Sequence, residues 1–264
     1  MRKNILIKVF IIVIGVILLS FQSDTYKLPS LDFIPFKVGE KLVFILHYGA
    51  INAGTAVMEI NPTLEKVHNE DHFHIKITGK SIPTFDKVFK VRDYYESFVN
   101  TKTMLPTIFL RDITEADYKK KEYYLFNQKT KKILSEGKVS KLPYEMHDLV
   151  STFYYLRCIS FVNKKVGAFY PLNCWYENEV MELGMKLIGR EVLKSKIGKI
   201  NCLVFEPVIA PGRIFDGQHN MKIFVSDDKN QIPVRIESFV FMGKVAADLT
   251  SYSNLKYDLT ALVK

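Results

Sequence analysis

Six charged residues stand out by type and spacing: Arg92, Asp93, Arg111, Asp112, Asp148 and Arg157. Folding the chain about Lys102, within the polar stretch Asn100-Thr101-Lys102-Thr103, sets Arg92 opposite Asp112 and Asp93 opposite Arg111. Opposite charges directly across an antiparallel ladder contribute ~0.2–1 kcal/mol each, and a slip of one residue would undo both pairs. Asp148 and Arg157 sit well apart on a predicted helix, so each would meet a sheet separately. Two roles fit this set. One is a polar staple, because a buried charge must be paired. The other is recognition of an anionic or amphipathic ligand at the mouth of a concave sheet.

Other chemistry is weaker. His72 and His74 fall on the same side of one strand, where a metal would need a third ligand such as His47 or Glu70. The plainer reading, two histidines on a wet face with no metal, is adopted. No G-x-S-x-G occurs. Cys158 follows His147 and Asp148 by 11 and 10 residues along a predicted helix. That separation is about 15 Å of rise, so they cannot form a catalytic set. The sequence therefore points to no enzyme and to no cofactor.

Stepping along the elements that would carry these groups, strand patterns dominate. They fall at 40–48, 53–60, 72–79, 87–98, 105–115, 120–127, 131–135, 169–178, 180–193, 199–208, 219–226, 232–242 and 244–255. One stretch reads as helix: 148–161, with Asp148 as N-cap and Leu149, Thr152, Phe153, Leu156 and Ile159 as a single apolar stripe. The stripe must be buried, and a long curved sheet is the surface available. Tyr48–Val57, YGAINAGTAV, joins two strands with small residues. Glycine allows a positive φ or a close backbone approach, so a crowded sheet corner is one reading. The floor of a pocket is the other.

The N-terminus carries Arg2, Lys3 and Lys8, then Val9 to Phe21, an apolar run of about 13 residues. That is too short for an ordinary span and suits a signal peptide, or an uncleaved anchor, over 1–23. The remaining 24–264 reads as a single domain in the periplasm or cell envelope. Net charge is +9, of which those three residues supply three, leaving +6. A positive field favours anionic partners such as lipid headgroups or polysaccharide; an exported protein rarely meets nucleic acid, so no nucleic-acid partner is expected. Cys174 and Cys202 lie in strand-like runs and could pair or stay as buried thiols; Cys158 reads as core.

Several segments resemble the DUF3108 family of exported bacterial proteins of unassigned function. They are Gly39-Glu40-Lys41-Leu42, YGAINAGTA from Tyr48, VFKVRDYYES at 88–97, LPTIFLRDI at 105–113, DLVSTFYYLR at 148–157, SDDKNQIPVRIE at 226–237 and FMGKVAADL at 241–249. The resemblance implies a β-rich envelope protein with no established enzyme activity. Combined with the strand pattern, it leads to a mainly β fold. A strongly curved antiparallel sheet would form an open or incomplete β-barrel, with the helix packed against its concave side. This is similar, at fold level, to the half-barrel of exported lipoprotein carriers. The expected function is non-enzymatic binding of a lipid or other amphipathic envelope component in that concavity. The alternative is an adaptor for another envelope protein, with a packed interior; contact with the membrane would come only through an uncleaved N-terminal segment.

Overall fold

The computed structural model describes residues 26–209, 221–240 and 243–263; the expected leader 1–23 lies outside them. Its strands are β1 (Lys41–Tyr48), β2 (Ile51–Ile60), β3 (Glu65–Val67), β4 (Glu70–Ser81), β5 (Val91–Asn100), β6 (Pro106–Glu115), β7 (Tyr118–Asn127), β8 (Lys132–Ser135) and β9 (Lys138–Lys141). They continue as β10 (Phe169–Pro171), β11 (Cys174–Tyr176), β12 (Glu179–Met181), β13 (Leu183–Ser195), β14 (Gly198–Ile209), β15 (Lys222–Ser226), β16 (Pro233–Val240) and β17 (Gly243–Ser253). The helices are α1 (Pro83–Asp86) and α2 (Leu149–Arg157). One antiparallel sheet runs β10-β13-β14-β15-β16-β17-β1-β2-β4-β5-β6-β7-β8-β9, with β3 added to β4 and β11–β12 as a separate ribbon. Its end strands β10 and β9 do not pair, so the barrel stays open.

Period-2 alternation places Leu42 and Phe44 of β1, Met58 and Ile60 of β2, Phe73 and Ile75 of β4, and Phe109 and Tyr124 of β6 and β7 on one face. Helix α2 lies in this core. Asp148 starts it through a capping box: its Oδ1 accepts from the Ser151 N–H at 2.7 Å, and Ser151 Oγ accepts from the Asp148 N–H at 3.0 Å. The helix stops at Arg157 rather than 161. Its terminal carbonyls are taken elsewhere: Gln231 Nε2 donates to Arg157 O (2.5 Å) and Ile159 O (2.9 Å), and Asp32 N to Cys158 O (3.0 Å).

Instead of a single apolar stripe, α2 is buried nearly all round, and Leu149 and Phe153 of the expected stripe are its half-buried members. Residues 26–38 pack along the helix, and Phe36 also meets Phe73 of β4 edge-on at 5.3 Å. Phe36 meets Tyr154 edge-on at 5.0 Å, and Tyr155 donates to Pro29 O at 2.6 Å. A helix apolar on all sides is a core element, and this one fills the sheet's hollow.

The β5–β6 register differs from the expected one. Arg92 faces Thr114, Asp93 faces Ile113, and Asp112 and Arg111 lie opposite Tyr94 and Tyr95. The connection is longer than a turn centred on Lys102. Asn100 Oδ1 accepts from Lys102 N and Thr103 N, Met104 takes φ 57°, and a bulge opens beside Val99. The slip is by two residues, so neither expected ion pair forms. An even slip keeps every side chain on its face, however, and Asp93 and Arg111 remain on the core side together.

His72 and His74 are buried, not on a wet face. His72 Nε2 lies 2.8 Å from Thr107 Oγ1 and its Nδ1 2.9 Å from Glu70 O. His74 reaches Glu96 Oε2 at 2.6 Å and Asn61 Nδ2 at 2.7 Å, and stacks on Phe98. The neighbouring strand and the Asn61 loop supply these partners; alternation within β4 could not foretell that cover.

The small-residue corner has two physical causes. Gly49 takes φ +58° in the β1–β2 turn. Gly54 faces Ser81 so closely that a Cβ there would lie 2.4 Å from Lys80 O. The expected strand 169–178 is split at Asn173, whose side chain accepts from Leu183 N (3.1 Å) and donates to Tyr144 OH (2.7 Å). On the other face of the sheet a second, smaller cluster joins Leu193, Ile200, Cys202, Val204, Phe224 and Val234 with Ala261.

Candidate functional site

The six singled-out charges occupy three places. Arg92 and Asp112 are surface ion pairs, with Asp86 of α1 (2.6 Å) and Lys121 of β7 (2.7 Å). Asp93 and Arg111 enter an interior cluster. Asp148 and Arg157 tie the two ends of α2 to the sheet.

The interior cluster grows from the β6–β7 register, which sets Arg111 opposite Glu122. Their buried side chains meet at 2.8 Å. Tyr124 OH donates to Glu122 Oε1 at 2.7 Å, and Lys120 Nζ stands 3.2 Å from the same oxygen. Ribbon β11–β12 closes over the pair. Glu177 at its turn lies 3.5 Å from Arg111 Nη1 and 3.2 Å from Lys120 Nζ, and the Tyr176 ring lies 4.9 Å from the guanidinium carbon. Asn178 of the same turn takes the Ser135 hydroxyl. The ribbon is held from behind as Trp175 N donates to His147 O at 2.8 Å.

Asp93 borders this cluster, and its buried Oδ1 lacks a hydrogen-bond partner among the described residues. Burial, then the charge of Glu115, pushes its carboxyl up to about 6. Burial pushes Tyr95, opposite Arg111, up to about 12. The arrangement is an electrostatic clasp: two cations and two or more carboxylates that seal the seam between β7 and the ribbon. A titratable carboxyl in such a setting takes up a proton near pH 6.

At the helix ends the charges serve packing. Arg157 grips Glu40 bidentately, Nη1 to Oε1 at 2.6 Å and Nη2 to Oε2 at 2.9 Å. Both side chains are fully enclosed, at 4% and 1% exposure. The guanidinium also donates to Asn230 O and lies over Phe36. Asp148 Oδ2 accepts from Ser97 of β5 at 2.6 Å, and burial pushes its carboxyl up to about 6.

His147 and Ser151 do touch, with Nδ1 3.2 Å from Oγ. Both are wholly buried, and burial lowers the His147 pKa to about 3. Ser151 Oγ already serves the capping box, so the contact belongs to the helix start. Cys158, Cys174 and Cys202 are free and buried. Among the described residues, no three His, Cys, Asp or Glu side chains are grouped to hold a metal.

Sequence reasoning missed Glu40, Ser97, Glu122 and Glu177. A signal existed for Glu122, a lone acid alternating with Tyr124 and Phe126 in a strand. Glu40 is 117 residues from its partner, a pairing that no local pattern carries.

The hollow that was expected to hold a ligand is occupied. The gap left under α2, lined by Met58, Phe153, Leu156, Phe161, Phe205 and Ile223, measures about 20 Å³. That is near the size needed for a single water and far below the ~300 Å³ of a small-molecule site.

The sequence profile of the family described as "Protein of unknown function (DUF3108)" matches residues 43–250. No curated protein matches the chain. A β-barrel-like protein of the domain of unknown function DUF1849 from Brucella abortus superposes with a TM-score of 0.56 at 12% identity, covering 84% of this chain and 99% of that one. A Bacteroides fragilis protein described as exported, with a YmcC-like fold, gives 0.34 at 10% identity, over 85% and 100% of the two chains. A Parabacteroides distasonis protein described as a lipoprotein gives 0.38 at 9% identity, over the same shares. The first comparison supports the open-barrel fold; the other two, at such scores, constrain nothing.

Proposed function

The chain belongs to the DUF3108 family, whose function is unknown, and from that premise we propose that it is an exported, non-catalytic adaptor that binds another envelope protein through its outer surface. Export rests on the cationic start and the Val9–Phe21 apolar run. The observation that carries the adaptor reading is the packed interior. Helix α2 and residues 26–38 occupy the hollow where an apolar ligand would lie, and leave a gap of about 20 Å³. Lipid carriage in the concavity would require α2 to leave, and α2 is fixed at both ends by buried charges.

Absence of catalysis is supported by the burial of the three cysteines and of His147. A contact surface is offered by the segment after α2, where Val162, Val166 and Phe169 are 74%, 59% and 52% exposed beside edge strand β10. A photocrosslinking residue at position 169, introduced into the chain in its native cells, should trap one specific envelope protein. The same probe at the exposed Lys119 should not. Mass spectrometry of organic extracts should find no lipid at stoichiometric amounts in the purified protein. A stoichiometric lipid, displaced when α2 is loosened by Asp148→Ala, would overturn the adaptor reading.

A further inference from the structure

A crevice on the face opposite the main core remains unexplained by the adaptor reading. It has a volume of about 510 Å³. One wall is the β13–β14 hairpin tip, Lys194-Ser195-Lys196, which reaches over the sheet because Leu193 and Ile200 pack with Phe224 and Val234 in the second apolar cluster. The other wall is the sheet itself. The registers of β1 with β17 and of β17 with β16 put Ile45, Asp248 and Arg235 side by side, and His47, Ala246 and Glu237 in the next row. The turn residues Gly49 and Ala50 complete the lining.

The charges in this crevice are unbalanced. Lys194, Lys196, Arg235 and Lys244 line it, against one lining carboxylate, Asp248. Lys244 is paired with Glu237 at 2.5 Å. Asp248 is committed as well. Its Oδ1 accepts from Arg235 Nε at 2.5 Å, and its Oδ2 lies 3.4 Å from His47 Nε2. Asp248 thus anchors the Arg235 guanidinium from behind through Nε and leaves its two Nη groups without a partner among the described residues. Lys194 and Lys196 are exposed and have no carboxylate partner there either. The lining between these cations is small-residued: Ala50, Ala246 and Gly49, where a Cβ would meet nothing within 4 Å.

Two ammonium groups and an oriented guanidinium fork around a floor of Gly49, Ala50 and Ala246, with the His47 imidazole beside them, suit a tetrahedral oxyanion carrying several acceptors. The volume exceeds a bare phosphate and falls within the range of small-molecule sites, so the phosphate would carry an organic group. We infer that this crevice binds a phosphate ester, with Lys194, Lys196 and Arg235 as its ligands. The small residues at Gly49 and Ala50 then serve two ends, turning the sheet and flooring the site. The phosphate has two sources in an envelope, a phospholipid headgroup and a soluble ester, and both present the same chemistry.

The test uses the full exported chain. Glycerol 3-phosphate is titrated by calorimetry, and flotation is measured with phosphatidylcholine vesicles with and without phosphatidylglycerol. The double variant K194Q/K196Q is compared with K164Q/K165Q, which removes the same charge from exposed lysines elsewhere. The expected result is binding in at least one arm, weakened roughly tenfold or more by K194Q/K196Q, the order of loss for charge-assisted contacts. K164Q/K165Q should leave it unchanged, and the melting temperature should hold in both variants. Calorimetric binding identifies a soluble ester; flotation alone identifies a headgroup. No binding in either arm, or equal weakening by the two double variants, overturns the proposal.

Discussion

Arg157 and Glu40 form a two-pronged ion pair at 2.6 and 2.9 Å, out of contact with solvent, joining the last turn of α2 to the start of β1. The pair is costly to desolvate, and breaking it leaves a lone buried charge. Glu40→Ala should therefore destabilise the fold by about 3–5 kcal/mol. Replacing both partners with leucine should cost less than either single change. Urea unfolding of the two single variants and the double variant measures this. A double variant worse than both singles would mean that the pair contributes net stability.

The β2–β4 contact gives a sharper steric prediction. Gly54→Ala puts a methyl 2.4 Å from the Lys80 carbonyl, and backbone must move to admit it. A loss of about 1–3 kcal/mol is expected, as for other overpacked sites. Gly79→Ala on the adjacent strand meets only Asp93 Cβ at an ordinary 3.8 Å and should be far milder. Comparable melting temperatures for the two variants would refute the close approach.

Asp93 predicts a pH dependence. Its folded carboxyl titrates at about 6, against a reference value of 3.8. Between these values the folded state holds the proton that the unfolded state has released. The group's contribution to stability is thus complete below about pH 4 and is lost as pH rises through about 6. Asp148 follows the same direction. Asp93→Asn should flatten the fall in stability over that window and raise stability at pH 7. Denaturation at several pH values reads this out, and an unchanged slope would place the charge elsewhere.

The thiols supply a chemical check. The thiolate is the reactive form, and burial pushes Cys158 and Cys202 up to about 12 and raises Cys174 as well. A thiol reagent should label none in the native protein and all three in urea. Labelling of Cys158 alone in urea would reveal a Cys174–Cys202 bridge.

Of the fold, strand identity and the helix start were written locally. Alternation in EKLVFILHY and DHFHIKI, and Asp148 ahead of an apolar run, follow from backbone geometry and the need to cap free N–H groups, and the structure keeps both. The glycines of Tyr48–Val57 announced a turn and a tight contact for the same reason: only an absent Cβ permits them. The shared face of Asp93 and Arg111 was also legible, because strand period fixes faces even when register slips by two.

Register itself was not legible. It depended on an Asn100 side-chain turn and a bulge, small local energies that only the assembled sheet selects. Nor could the sequence show that the hollow is full. A curved sheet leaves a cavity or a core depending on which distant segments fold into it. Here residues 26–38, Glu40 and Gln231 converge on α2 from far along the chain. Side-chain periodicity is a property of neighbours in sequence. Closure of the interior is set by contacts between residues whose separation no local pattern encodes.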